Sequence, residues 1–413
     1  MKIKIEKSYA NCYYIMLLSI FITGYTLRSS ILPGVFGYIN FAFYISMFII
    51  LMRWIKYFNI SHIMIISAIF GGILYVDIMT GSNIYKSINS IFGFVLPLLL
   101  FCINYKRVII DEELFITKCI KIVNFFTIVI FIYIVIDMVT NCLLTRTLSI
   151  IFPKLVEYIP KDTGFLKFRS ASYLGHELYT KHFILMFYIL NMLYHAIKLK
   201  YLMNPIIIHR IVMIGMVFSG SKIGILIVLF LILYFNFKNR NRIINITLIF
   251  LGLLILGYLG LFDYIINRFT TTTLTTGRSA AWDLIYPSLP KLQFIGGFGE
   301  NLTELLLMRF TPTQVTAAFE YPFRIWAYRY GLLITGLILY EIYISTLYRF
   351  IRSKNMMFII SFSIIIIETS VFNQLVYNPD LFILIILWNI ILNCMFDLYR
   401  KIGEENENKT TNK

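Results

Sequence analysis

Long apolar runs alternate along this chain with short polar breaks. A helix that crosses a bilayer needs about 20 apolar residues. Runs near that length recur at 12–27, 33–52, 59–77, 88–105, 119–140, 180–197, 204–219, 221–236, 243–262, 328–348, 355–375 and 381–397. The pattern predicts an all-α polytopic membrane protein with about twelve transmembrane helices. Two connections are long, at 141–179 and 263–327. The expected blocks are therefore N-terminal transmembrane helices (1–140), a first outer loop (141–179), central transmembrane helices (180–262), a long outer loop (263–327) carrying short amphipathic helices, C-terminal transmembrane helices (328–397) and a polar cytoplasmic tail (398–413).

Charge sets the expected orientation. Lys2, Lys4 and Lys7, then Arg53 and Lys56, Lys106, Arg107 and Lys118, Lys198 and Lys200, Lys238, Arg240 and Arg242, Arg349, Arg352 and Lys354, and Arg400 and Lys401 fall in alternate connections. Short cytoplasmic loops collect Lys and Arg, so both termini are expected in the cytoplasm and the two long loops outside. This depends on breaking the run Ile211–Asn236 into two short helices at Ser219-Gly220-Ser221-Lys222. One continuous helix there would turn the long loop inward.

Composition agrees with the membrane reading. The chain is 59% hydrophobic and 14% charged, against roughly 25% charged residues in soluble domains. Its net charge of +16 lies in clusters between apolar runs, with no continuous basic face, which argues against nucleic acid as a partner. The five cysteines are scattered without a CxxC pair, so neither a disulfide framework nor a metal site is expected. The N-terminus runs from basic residues into an apolar stretch without a small-residue cleavage site, as a retained first helix does.

Chemistry is expected in the long polar segment Asn267–Tyr330. It carries Arg268, Arg278, Arg309, Arg324 and Arg329 among Asp283, Glu300, Glu304 and Glu320. The first outer loop adds Arg169, His176, Glu177, Lys181 and His182, and the short turn adds Lys222. Guanidinium forks match phosphate oxygens bidentately, so converging Arg and Lys point to phosphate or pyrophosphate. Singly, such side chains do no more than snorkel to lipid headgroups. Gly277-Arg278-Ser279 reads as a helix start with Ser279 as N-cap, and Trp282 as an interfacial anchor. The glycine-rich Phe294–Glu300 stretch lacks the Gly-Lys-Ser/Thr of a phosphate loop and reads as a turn. Glu320, before the helix that re-enters the membrane, is a candidate general base; the plainer role is a salt bridge to Arg324. Asp77, Asp137, Glu341 and Glu368 are intramembrane carboxyls spread over four helices.

Four stretches resemble the O-antigen polymerase (Wzy-type) and O-antigen ligase superfamily: FRSASYLGHELYTKHFIL, MVFSGSKIGILIVLFLIL, GRSAAWDLIYPSLPKLQFIGGFG and EYPFRIWAYRYGLLITGLILY. The likeness covers about residues 160–345, in the family's order and with one long outer loop. Two positions depart from it. Lys222 stands where the family often has Arg. Glu320-Tyr321 stands where ligases show a His-Asn pair, which leans the resemblance toward a polymerase.

The resemblance implies a glycosyltransferase that needs no metal or other cofactor, at the outer face of the bacterial cytoplasmic membrane. Its donor would be an undecaprenyl-pyrophosphate-linked oligosaccharide, and it would work beside a flippase and a chain-length regulator. In that reading Arg169, Lys222 and Arg278 hold the pyrophosphate, Glu320 accepts the proton of the acceptor hydroxyl, and Arg309, Arg324, Arg329 and His176 line the substrate. The alternatives are a ligase passing polymer to a lipid or protein acceptor, and a flippase for the same lipid.

Overall fold

A computed structural model describes residues 2–109, 111–160, 169–236, 278–370 and 374–411. These residues are overwhelmingly helical, and the extended pairing among them is one isolated antiparallel bridge, Phe58 with Ile103. The expected span 243–262, the basic cluster Lys238, Arg240 and Arg242, and Arg268 lie outside the described residues. The chain divides into two compact units, residues 1–122 with 278–413 and residues 123–277.

Among the described residues five helices are long and apolar enough to cross a membrane: Ile60–Met79, Ile84–Cys102, Glu112–Thr140, Pro322–Arg352 and Pro379–Glu405. A sixth is added if Ala10–Ile22 and Tyr25–Ile31, bent by 70° at their junction, form one span. Pro205–Ser219, Lys222–Asn236 and Met356–Ser370 are shorter apolar helices. They are apolar because no water in a bilayer can satisfy an exposed backbone, which leaves the helix as the local solution.

In the first unit the helix beginning at Pro379 is central. Of its apolar window 89% is buried, against 28% for Ile60–Met79, the difference between a helix enclosed by protein and one with an apolar face turned outward. Tyr13 donates to the Leu387 carbonyl across 2.8 Å, and Phe94, Trp326 and Phe382 pack edge to face around the same helix.

Connections that the charge pattern puts on one side meet each other. Arg28 pairs with Asp380 at 2.9 Å, both buried. Lys86 pairs with Glu304 of the long polar segment, and Asn301 donates to the Thr80 carbonyl at 3.0 Å. The connections expected on the other side also meet. Asn59 N–H bonds the Cys102 carbonyl, Asn104 N–H bonds the Tyr57 carbonyl, and Arg349 pairs with Asp397.

In the second unit the run Ile211–Asn236 is two helices. Pro205–Ser219 ends in Gly220 at φ 60°, a left-handed C-cap, and the next helix starts at Lys222. The amides of Asn124 and Asn191 exchange hydrogen bonds of 2.6 and 3.1 Å between helices. His209, expected to snorkel, instead bonds Asn236 at 3.2 Å. Asp137 accepts from the backbone N–H groups of Leu144 and Thr145, capping the first turn of Leu143–Ser149.

Candidate functional site

The second unit gathers three of the expected residues. Its site is built on the helix Glu177–Lys198, whose N-cap is His176: the imidazole Nδ1 accepts from Leu178 N–H at 3.1 Å. An Nδ1 that accepts carries no proton, so its 3.4 Å approach to Glu177 is not a charged pair. Burial holds the His176 pKa below its usual range, with Arg169 and Lys181 adding to the effect and Glu177 opposing it.

Arg169 bridges the loop and the short turn. Its Nη1 lies 2.5 Å from Glu177 Oε1, and its Nε–H donates to the Ser219 carbonyl at 3.1 Å. The next residue, Ser170, donates its N–H to the Phe218 carbonyl at 2.9 Å. The loop strand is thereby fastened to the end of Pro205–Ser219, beside Gly220. Lys222 opens the following helix and is buried. Ser221 supports that opening by accepting from Gly224 N–H at 3.1 Å.

Lys181, one turn into Glu177–Lys198, joins this group. It is 3% exposed, and a Cβ on Gly224 would fall 2.9 Å from its Cδ. Gly224 is thus the space that admits the lysine stem. Arg169, Lys181 and Lys222 stand around one turn, with Glu177 paired to the arginine, an arrangement that favours an anion.

The first unit holds the remaining expected residues, and it does not treat them alike. The helix Pro322–Leu339 begins six residues earlier than the predicted span at 328, so Arg324 belongs to the helix and not to the loop. It then breaks at Gly331, where φ is 86° and ψ is 170°. Into the break runs the glycine-rich stretch. Leu332 N–H donates to the Gln293 carbonyl at 3.0 Å, Leu333 N–H to the Phe294 carbonyl at 2.9 Å, and Phe298 N–H to the Tyr328 carbonyl at 3.0 Å. The reading of this stretch as a plain turn is corrected: it supplies the hydrogen bonds that the broken helix lacks.

The break explains the glycines. A Cβ on Gly331 would lie 2.6 Å from the Gly296 carbonyl oxygen, and one on Gly297 would lie 2.4 Å from the Arg329 carbonyl oxygen. Two backbones touch here, and only residues without side chains allow it.

Arg329 and Glu300 come together through this contact. The Arg329 guanidinium sits 3.0 Å from both Glu300 oxygens and donates to Thr303 Oγ1 at 3.2 Å. Ser90 and Tyr330 also donate to Glu300 Oε1. Arg329 is a buried structural partner of Glu300, set 29 residues away in sequence, which the residue spacing did not reveal. Glu300 itself was expected only as one charge among several.

Arg324 lies with its guanidinium 4.0 Å from the Trp282 ring centroid and 4.4 Å from that of Tyr321. It donates to the Ala318 carbonyl at 3.2 Å. Trp282 packs further against Tyr286, Phe319 and Tyr328. Glu320 is half-buried in the turn between Pro312–Ala318 and Pro322–Leu339, four residues from Arg324. Arg278 opens the helix Arg278–Ile285, so Ser279 is inside the first turn and is not the N-cap; the Arg278 side chain lies outside what is described. Arg309 is exposed, two residues beyond Leu302–Leu307.

A second buried ion pair was also missed. His62 Nδ1 lies 2.7 Å from Glu341 Oε2, and Glu341 sits in a π-helical turn, Tyr340–Ile344. Among the described residues no group of three or more His, Cys, Asp or Glu is placed to hold a metal ion. The chain matches no family model, no curated protein and no solved structure.

Proposed function

We propose that the chain is a glycosyltransferase that polymerises lipid-linked oligosaccharide repeats, from an undecaprenyl-pyrophosphate donor to a lipid-linked acceptor. The observation that carries this reading is the cationic turn of the second unit, where Arg169, Lys181 and Lys222 surround Gly220 at the end of two apolar helices. A pyrophosphate attached to a polyprenyl chain suits such a place: its tail stays in the bilayer and its anionic head meets fixed cations. Pyrophosphate is a good leaving group once its charge is neutralised, and fixed cations stabilise the charge that develops as it departs.

In the same reading Arg278 assists at the phosphate and Glu320 takes the proton of the acceptor hydroxyl as the new glycosidic bond forms. The anomeric carbon passes through an oxocarbenium-like state. Arg309, Arg324 and His176 contribute to the walls, while Arg329 holds Glu300 in place. The protein then has twelve spans in the bacterial cytoplasmic membrane, with both termini inside and the long polar segment outside. The meeting of the turns at Arg28, Lys86 and Asp380 with one another and with Glu304 supports that sidedness.

One observation favours a transporter for the same lipid. The helix broken at Gly331 is of a kind that lines transport sites. Here, however, the chain's own Gln293–Phe298 backbone takes up the freed groups, which favours a fixed scaffold.

The test is Lys222→Met in cells that assemble a lipid-linked polysaccharide with this protein. Loss of long polymer, with single repeats accumulating at the outer face and protein level unchanged, is the expected result, and Lys222→Arg retains polymer. Unchanged chain length in Lys222→Met sinks the reading. Repeats held on the inner leaflet would assign transport.

A further inference from the structure

The first unit carries a basic cavity far along the sequence from the residues discussed above. The helix Ser345–Arg352 stops at a turn in which Lys354 has φ 55°. Beside it runs the helix Pro379–Thr411. Between them is a cavity of about 680 Å³, lined by Tyr348, Arg349, Arg352, Phe396, Tyr399 and Arg400 among others.

The three arginines differ in their commitments. Arg349 pairs with Asp397, donates to Asn393 Oδ1 at 2.8 Å and lies 5.1 Å from the Phe396 ring centroid. It forms a fixed wall. Arg400 reaches Glu404 only at 3.8 Å, with both side chains more than half exposed, a contact of little strength. Arg352 makes no ion pair among the described residues. Three guanidinium groups thus border one cavity with one firmly paired carboxylate, and the excess is positive.

We infer that this cavity binds the phosphate of an anionic phospholipid headgroup. Arginine forks match phosphate oxygens bidentately, and basic pockets between transmembrane helices bind acidic lipid heads. The location points to a lipid and not to a soluble phosphate. Arg352 is the last residue of Pro322–Arg352, and Arg400 lies near the end of Pro379–Glu405, two helices of membrane-spanning length. Around the mouth, Tyr348, Ile351, Met356 and Tyr399 are exposed at 62%, 52%, 60% and 42%. Apolar and tyrosine side chains at that level suit the glycerol backbone and first acyl carbons. The basic residues here also fall in connections that the charge pattern assigns to the cytoplasm. The site is independent of the glycosyl-transfer reading and stands or falls alone.

The test uses the full chain purified in mild detergent. Phosphatidylglycerol and phosphatidylcholine are added in equal amounts, and retained lipid is counted by native mass spectrometry. The comparison is wild type, Arg352→Gln/Arg400→Gln, and Lys200→Gln/Arg210→Gln, which removes two exposed charges from the other unit. All four positions are exposed, so the fold is not at stake. Wild type and the control pair should prefer phosphatidylglycerol, and Arg352→Gln/Arg400→Gln should weaken its retention about tenfold, an effect of about 1.4 kcal/mol. Equal retention of the two lipids by wild type overturns the inference, as does equal loss in both double variants. Displacement of phosphatidylglycerol by millimolar inorganic phosphate would overturn it in favour of a soluble ligand.

Discussion

His176 shows how one side chain ties local structure to solution behaviour. Its Nδ1 caps a helix only while that nitrogen is unprotonated. The folded pKa is depressed from 6.5, so at mildly acid pH the unfolded chain binds a proton that the folded chain resists. Stability linked to this group is therefore complete above 6.5 and declines as pH falls toward the folded value. Asn at 176 keeps a side-chain acceptor and does not titrate. Thermal unfolding of the purified protein between pH 7.5 and 5.5 should show the wild type losing about 1 kcal/mol more than His176→Asn, the typical strength of one cap. Parallel curves would refute the assignment of Nδ1 as acceptor.

Glu300 makes a different prediction at the same scale. It receives Arg329, Tyr330 and Ser90 in a buried setting. Removing one partner of a buried pair leaves an uncompensated charge, at about 3–5 kcal/mol. Glu300→Gln should therefore sharply reduce the folded fraction recovered from membranes. Glu300→Gln combined with Arg329→Met should recover much of it, because replacing both partners of a buried pair is often near neutral. If the double variant is no better than Glu300→Gln alone, the pair is not the reason for the loss.

At the scale of elements, the informative feature is the interrupted helix Pro322–Leu339. Its sequence gives period and apolarity but offers no sign of where the freed backbone groups go. Gly331 in an apolar run is compatible with a continuous helix, and Gly296, Gly297 and Gly299 suggest a turn. The interruption is intelligible only when the two glycine sets face each other, since neither backbone can approach the other past a Cβ. The break at Ser219–Lys222 was legible for the opposite reason: charge alternation over the whole chain requires it, and Gly220 provides the left-handed cap. The same helix offers an internal control for Gly331. Gly336 has open space where a Cβ would go, so Gly336→Ala should be tolerated. Gly331→Ala forces a side chain into a backbone region that glycine alone readily occupies, costing about 1–3 kcal/mol before any clash, and it collides with Gly296 as well. Comparing monodisperse yield after detergent extraction separates the two, and similar yields would show that the break is not needed.

For the molecule as a whole, the membrane class was legible from hydropathy and the pairing of connections from charge, because both follow from the bilayer acting as solvent. The grouping of buried charges was not. Arg28 with Asp380 and His62 with Glu341 are 352 and 279 residues apart in sequence, and tertiary approach alone creates them. Their arrangement still bears on sidedness. Arg28, Lys86 and Thr80 lie in connections expected outside, and they reach Asp380, Glu304 and Asn301, the last two in the long polar segment. Chain segments in direct contact at helix ends share a membrane face, so Thr313, exposed in that segment, should face outward, while Gly403, exposed beyond Arg400, should face the cytoplasm. The native cysteines favour a labelling test: Cys102, Cys119, Cys142 and Cys394 are buried and Cys12 is partly so, which keeps the background low. A membrane-impermeant maleimide should modify Thr313→Cys in intact cells and Gly403→Cys only after the membrane is opened. Modification of Gly403→Cys in intact cells with Thr313→Cys protected would invert the topology. It would also remove the polar segment from the face where a lipid-linked glycan is polymerised.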